Sequence, residues 1–202
     1  MKKINYVAII VLLATFFLAS CGENRTVART AADKTVDLSG RWNDSDSRIV
    51  ANNVIGDCLS RPWVSDFRDE YGRKPTVIVG KVRNLSSEHI PTQTITKDME
   101  RELINSGRVK FVADSNQRNE IRQERQEQQT HASAETAKRL AQETGADFML
   151  KGTINTIIDA YDGQKVKFYQ VDLELINVES NEKVWMGGHK IKKLVSSKKV
   201  KW

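Results

Sequence analysis

Glu88 and His89 stand side by side in a polar stretch, and a carboxylate beside an imidazole is a ready acid–base pair. Asp172 and Glu174, two residues apart in an alternating segment, would project from one face of a strand, and paired carboxylates perform glycosidic chemistry. Neither pair has the company an enzyme needs. The sequence holds no G-x-S-x-G elbow, no H-E-x-x-H, no P-loop and no G-x-G-x-x-G. Glu88 and His89 are better explained by a loop whose polar groups satisfy its own backbone and the start of the next helix. Lysines line the strands around Asp172 and Glu174, so cross-strand ion pairs account for those two. His89, His131 and His189 lie in three separate segments, and a His/Cys metal site would have to draw on Cys58, whose surroundings are apolar. The reading is no catalytic set, no metal, no cofactor and no small-molecule substrate.

Cys21 carries a different chemistry. Lys2 and Lys3 precede an apolar run from Val7 to Leu18, and Leu18-Ala19-Ser20-Cys21 follows. A basic start, a short apolar core and small residues make a secretory signal. The cysteine directly after the small pair makes it a lipoprotein signal with its lipobox. The apolar core is too short to span a bilayer, which takes ~20 residues. The mature chain would begin at Cys21, carrying acyl chains, outside the cytoplasm. Cys58 then has no partner in an oxidising compartment. It follows Val50 and Val54 at four-residue steps, with Ile55 and Leu59 beside it. That stripe marks a buried core thiol; an intermolecular disulfide or a reactive thiol is the alternative.

The chain has 202 residues, 39% hydrophobic and 29% charged, which suits one soluble domain after signal removal. Its net charge of +6 falls to +4 without Lys2 and Lys3, and the stretch from Lys190 to Lys201 holds six lysines and no acid. Export argues against nucleic acid as the counter-charge, and no aromatic residues interleave with the lysines before Trp202. Anionic lipid, lipopolysaccharide or cell-wall polymer suits an exported chain better; a solvated tail is the plainer reading.

The divisions read as a signal peptide over 1–20, a flexible tether over 21–39, a globular domain over 40–195 and a basic tail over 196–202. Asn43, Asp44 and Ser45 can cap the helix of the Cys58 stripe, and Pro62 interrupts or bends it. Thr76 to Val82 reads as a central strand, apolar on both faces. A helix with Ile95, Met99 and Leu103 ends at Gly107, and Val109 to Ala113 is a short strand. Ser115 to Gln129 has only Ile121 as an aliphatic anchor, so it is an exposed, mobile helix or an arm that orders on a partner. Ser133 caps a helix with Ala137, Leu140 and Ala141 facing inward. Three strands follow, Phe148 to Ile158, Val166 to Val178 and Val184 to Leu194, with Ser180-Asn181 turning between the last two. The order α-β-α-β-α-α-β-β-β implies an α/β (α+β) fold: a mixed, largely antiparallel sheet with helices packed mainly on one face.

Two surfaces are binding candidates. One is the loop after the first strand, with Asn84, Ser86, Glu88 and His89. The other is the open face of the last strands around Trp185, His189, Lys190 and Lys192. Tryptophan is favoured at interface hot spots, although on a strand it is more often core.

Several segments together carry a family resemblance. They are Gly40-Arg41-Trp42-Asn43-Asp44, Val79 to Ile90 (VGKVRNLSSEHI), Ile104 to Val109 (INSGRV), Thr144 to Gly152 (TGADFMLKG) and Glu182-Lys183-Val184-Trp185. The chain resembles the penicillin-binding protein activator LpoB family from about Gly40 to Lys193. The Gly-Ala-Asp and Glu-Lys-Val-Trp segments are shared with wider TolB-N-terminal-like and CsgG-like exported domains. The resemblance implies an outer-membrane lipoprotein, anchored by lipid and facing the periplasm, whose domain docks on a bifunctional peptidoglycan synthase and stimulates it. The alternative is a non-enzymatic, structural component of a CsgG-like envelope or secretion complex. No amphipathic strand insertion of the kind a pore needs is present. Well-known members carry a long, proline-rich tether. Here Gly22 to Ser39 contains no proline, and its eighteen residues reach at most ~65 Å.

Overall fold

Asn43 starts the first helix, α1 (Asp44–Ser60), because its side chain and that of Asp46 satisfy each other's backbone. Asp46 N donates to Asn43 Oδ1 at 3.1 Å, and Asn43 N donates to Asp46 Oδ2 at 2.9 Å. Pro62 ends that run, and a second helix, α2 (Trp63–Tyr71), stops at Gly72 with φ 63°. Strand β1 (Thr76–Asn84) follows, then α3 (Thr92–Asn105), a two-residue β2 (Lys110–Phe111) and α4 (Ser115–His131). The last three elements are long strands, β3 (Phe148–Tyr161), β4 (Gln164–Asn177) and β5 (Lys183–Ser196). The computed structural model describes residues 26–131 and 145–196. The expected helix with Ala137, Leu140 and Ala141 lies outside the described residues, as do the signal and Cys21. Residues 26–34 belong to a separate unit; everything below concerns the unit that begins at Thr35.

The sheet runs β2-β1-β3-β4-β5, with β1 parallel to β2 and β3, and the last three strands antiparallel. This is the expected mixed, largely antiparallel sheet. The strand expected to be central, β1, is interior but stands one place from the edge, and β3 holds the middle. The short strand expected over Val109 to Ala113 narrows to Lys110–Phe111. β3 and β4 are longer than expected because Asp162 and Gly163, at φ 40° and 77°, close a tight hairpin.

Helices α1, α2 and α3 cover one face of the sheet. Val50, Val54, Ile55 and Cys58 of α1 meet Ile95, Met99 and Leu103 of α3 and the inward row Tyr169, Val171, Leu173 and Leu175 of β4. Phe67 and Trp63 of α2 pack edge-on against Phe148 at 5.4 and 5.1 Å. Cys58 is fully buried, and burial pushes its thiol up to about 12, so the reactive thiolate is suppressed. α4 lies largely in solvent, as its lack of an apolar face requires.

Candidate functional site

The loop after β1 is built by its own side chains. Asn84 Oδ1 accepts from Ser86 N at 3.0 Å, and Asn84 Nδ2 donates to the Glu88 carbonyl at 2.7 Å. Ser86 Oγ lies 2.6 Å from Asn84 Oδ1 and accepts from Glu88 N at 3.2 Å. Leu85 N donates to Ile154 O at 2.8 Å and Ser87 N to Thr156 Oγ1 at 3.4 Å, which fixes the loop to β3. Asn84 and Ser86 therefore hold the loop, while Leu85, Ser87 and His89 face solvent.

Glu88 turns inward and is not a free acid. Its Oε1 accepts from Lys167 Nζ at 2.5 Å; its Oε2 accepts from Tyr169 Oη at 2.8 Å and from Trp42 N at 3.3 Å. Burial raises the Glu88 carboxyl, but the bonds from Lys167, Tyr169 and Trp42 outweigh it and hold the group below its ordinary value. Burial and the Glu88 carboxylate together push the Tyr169 phenol up. Glu88 and His89 therefore do not work as an acid–base pair. The loop does satisfy its own backbone, and Glu88 ties it to the residue before the α1 cap.

A second buried lysine stands beside the first. Lys167 and Lys193 are register partners on the covered face of β4 and β5, both almost fully buried. Like charges opposite each other on a sheet repel, so each lysine needs its own anions. Lys193 Nζ donates to Asp46 Oδ2 and Asp37 Oδ1, both at 2.6 Å, and lies 3.1 Å from the Arg41 carbonyl. Asn43 Nδ2 adds a bond to Asp37 Oδ1 at 2.7 Å. Lys193 lowers the Asp37 carboxyl; burial pulls Lys193 down, and Asp37 and Asp46 more than reverse that. Trp42 stacks edge-on against Tyr169 at 5.5 Å and donates from Nε1 to Ser47 Oγ at 2.9 Å. One polar network thus joins the segment Asp37–Asn43, the start of α1, the β1–α3 loop and the ends of β4 and β5.

Its pH response follows from the signs. Glu88 and Asp37 have depressed folded-state values, so their contribution is complete above the unfolded values and is lost as pH falls through the folded ones. Lys193 has a raised value, so its contribution is complete below the unfolded lysine value and is lost as pH rises through the folded one. Thermal midpoints should therefore fall on acidification below the ordinary glutamate value of 4.5. Glu88→Gln should flatten part of that acid limb in a melting series against pH. An unchanged limb would mean that Glu88 titrates alike folded and unfolded.

The open-face cluster expected around Trp185, Lys190 and Lys192 does not exist as one surface. Alternation along β5 puts Trp185 and His189 on the covered side and Lys190 and Lys192 on the open side. Trp185 is 6% exposed and donates from Nε1 to Asp57 Oδ2 at 2.9 Å. Its ring fills the space where a Gly187 side chain would stand. Trp185 is a core residue. Glu174 bridges Lys151 at 3.7 Å and Lys183 at 2.5 Å, the expected cross-strand pairs, whereas Asp172 accepts instead from Gln170 Nε2 of its own strand at 2.9 Å. Sequence reasoning missed Lys167, Lys193, Asp37 and Asp46. The signal was present: Lys167 shares parity with Tyr169 and Val171, and Lys193 with Trp185 and Ile191. No group of three or more His, Cys, Asp or Glu residues suited to a metal occurs among the described residues.

In this α+β domain the ionisable groups around Glu88 and Lys193 hold the domain's own segments together. A family model for the peptidoglycan-synthase activator LpoB matches residues 46–191, and the chain belongs to that family. It is thus a non-enzymatic activator of a penicillin-binding protein, lipid-anchored at the outer membrane and facing the periplasm. Among solved structures it is similar to the LpoB C-terminal domain from Escherichia coli, with 14% identity, TM-score 0.45, and coverage of 73% of this chain and 99% of that one. It is also similar to the LpoB C-terminal domain from Salmonella enterica, with 18% identity, TM-score 0.37, and coverage of 65% and 94%. No curated protein sequence matches the chain.

Proposed function

We propose that Cys21 is the acylated residue that anchors the chain once residues 1–20 are removed, and that the synthase docks on the outward side of the loop Asn84–Ile90. The observation that supports this docking site is the loop's construction. Bonds to β3, and bonds among Asn84, Ser86 and Glu88, preform it, and Leu85 and His89 are left facing outward. A preformed loop loses little conformational entropy when a partner binds. Asn84, Ser86 and Glu88 shape the surface; Leu85, Ser87 and His89 touch the partner.

Leu85→Ser with His89→Ala should weaken binding to the purified bifunctional synthase by roughly tenfold or more, through faster release. Circular dichroism should stay native. Normal affinity with a native spectrum would place the partner elsewhere. Cys21→Ser should free the chain from membranes after a high-salt wash, which removes contacts made by charge alone. A processed Cys21→Ser chain that resists the wash would mean the anchor lies elsewhere.

A further inference from the structure

The open face of the sheet has an apolar, basic end. Across β3, β4 and β5 stand Ile157, Phe168 and Lys192 in one row, then Asp159, Val166 and Leu194 in the next. Ile157 is 67% exposed, Leu194 71%, and Tyr161 at the hairpin tip 86%. Lys190, one row back, is also exposed. Exposed aliphatic groups in contiguous rows mark an interaction surface.

The described domain begins and ends at this same end of the sheet. Ser196 closes β5 opposite Gln164 of the hairpin, and Lys198, Lys199, Lys201 and Trp202 come next in the sequence. The incoming chain is held there as well: Asp37 binds Lys193, and Gly40 packs so closely that a β-carbon would lie 2.2 Å from Val195 Cγ2. Asp37 stands sixteen positions after Cys21, a span of at most ~55 Å. An anchor at Cys21 would hold this end of the sheet within about 55 Å of its membrane.

We propose that the open face of the β3–β4–β5 end lies on the anionic phospholipid surface of the membrane that holds the anchor. The proposal rests on the anchor at Cys21. Lys190 and Lys192 would meet the phosphates, with their stems along the bilayer surface. Ile157 and Leu194 would enter the headgroup boundary, and Tyr161 would take the interfacial position aromatic rings favour. Asp159 and Asp162 are the acids nearby; the lysines of the face and the following tail outnumber them. The short tether raises the local concentration of membrane at this face, so modest affinity suffices. The contact orients the domain. Glu88 and the loop around it lie on the opposite, covered side of the sheet, so the proposed synthase surface would point away from the membrane.

The test uses the mature chain with Cys21→Ser, sedimented with vesicles of phosphatidylethanolamine with and without phosphatidylglycerol. Binding is expected only with phosphatidylglycerol, and salt should reverse it. A lysine near an anionic surface changes partitioning about fivefold, so Lys190→Glu with Lys192→Glu should lower it by about 25-fold or more. Ile157→Ser with Leu194→Ser should lower it as well, with synthase affinity unchanged. Absence of phosphatidylglycerol-dependent binding, or equal binding by both double variants with native spectra, would overturn the proposal. So would loss of synthase affinity or of a dimer in these variants with vesicle binding intact, because the face would then belong to a protein. Failure of the anchor reads out separately, as release of the wild-type acylated chain from membranes in high salt.

Discussion

Lys193→Met is expected to cost the domain about 3 kcal/mol, the lower end for breaking a buried ion pair from one side. The Lys193 side chain is 8% exposed and that of Asp46 6%. Without the ammonium, Asp46 keeps the Asn43 amide but sits as an uncompensated charge in a water-poor site. Asp37 suffers less, because its side chain is 45% exposed and water can replace the lost partner. For a domain of this size the loss corresponds to about 6–12 °C in melting temperature. Asp46→Asn added to Lys193→Met should recover much of it: the amide removes the stranded charge and still caps the helix. A loss under about 1 kcal/mol, or no recovery in the double variant, would show that the pair is balanced by its own desolvation. The network also links the tether to the fold. Asp37 lies within the stretch read as tether, and its bond to Lys193 fixes where the chain enters the sheet.

Gly152→Ala should be nearly as costly. An added β-carbon would stand 2.1 Å from the Asp172 carbonyl oxygen and 2.4 Å from Leu173 Cδ2. A leucine tip can turn away, but the carbonyl belongs to the β3–β4 ladder and cannot move without breaking its pairing. Overpacking of this kind costs about 3 kcal/mol. Alanine recovers less than about 1 kcal/mol by restricting the unfolded chain. Urea denaturation should show a lower midpoint at unchanged slope. Synthase binding by the fraction still folded should be unaffected, because none of the bonds that build the loop involves Gly152. A midpoint equal to the wild type would mean that the two strands can separate locally without penalty.

Gly152 also shows why a motif can be read before its reason is known. The run Thr144 to Gly152 was one of five segments that carried the family resemblance, yet nothing local to it demands an aspartate or a second glycine. The demand is tertiary. Asp147 binds Arg73 through both oxygens, at 2.7 and 2.8 Å, and accepts from Thr76 N at 2.8 Å, which clamps the start of β1 to that of β3. Burial raises its carboxyl, and Arg73 and Thr76 more than offset this. Gly152 is required by a neighbour twenty residues away, across the ladder from Asp172 and Leu173.

What the sequence determined by itself was local. The stripe through Val50, Val54 and Cys58 made α1 bury one side, Asn43 capped it, and strict alternation from Tyr169 to Leu175 made β4 a half-covered strand. Backbone geometry alone sets those periods, so they survive without knowledge of neighbours. The lipobox proposed at Cys21 is likewise read from one contiguous stretch. Only the tertiary structure decided which groups meet. Glu88 finds Lys167 and Tyr169 at separations of 79 and 81 residues, and Lys193 finds Asp46 at 147. Trp185 and Lys190 part to opposite faces by the parity of one strand, although both stand in one short stretch. Such contacts depend on strand order and register, which hundreds of weak interactions select together. No window of the chain contains them.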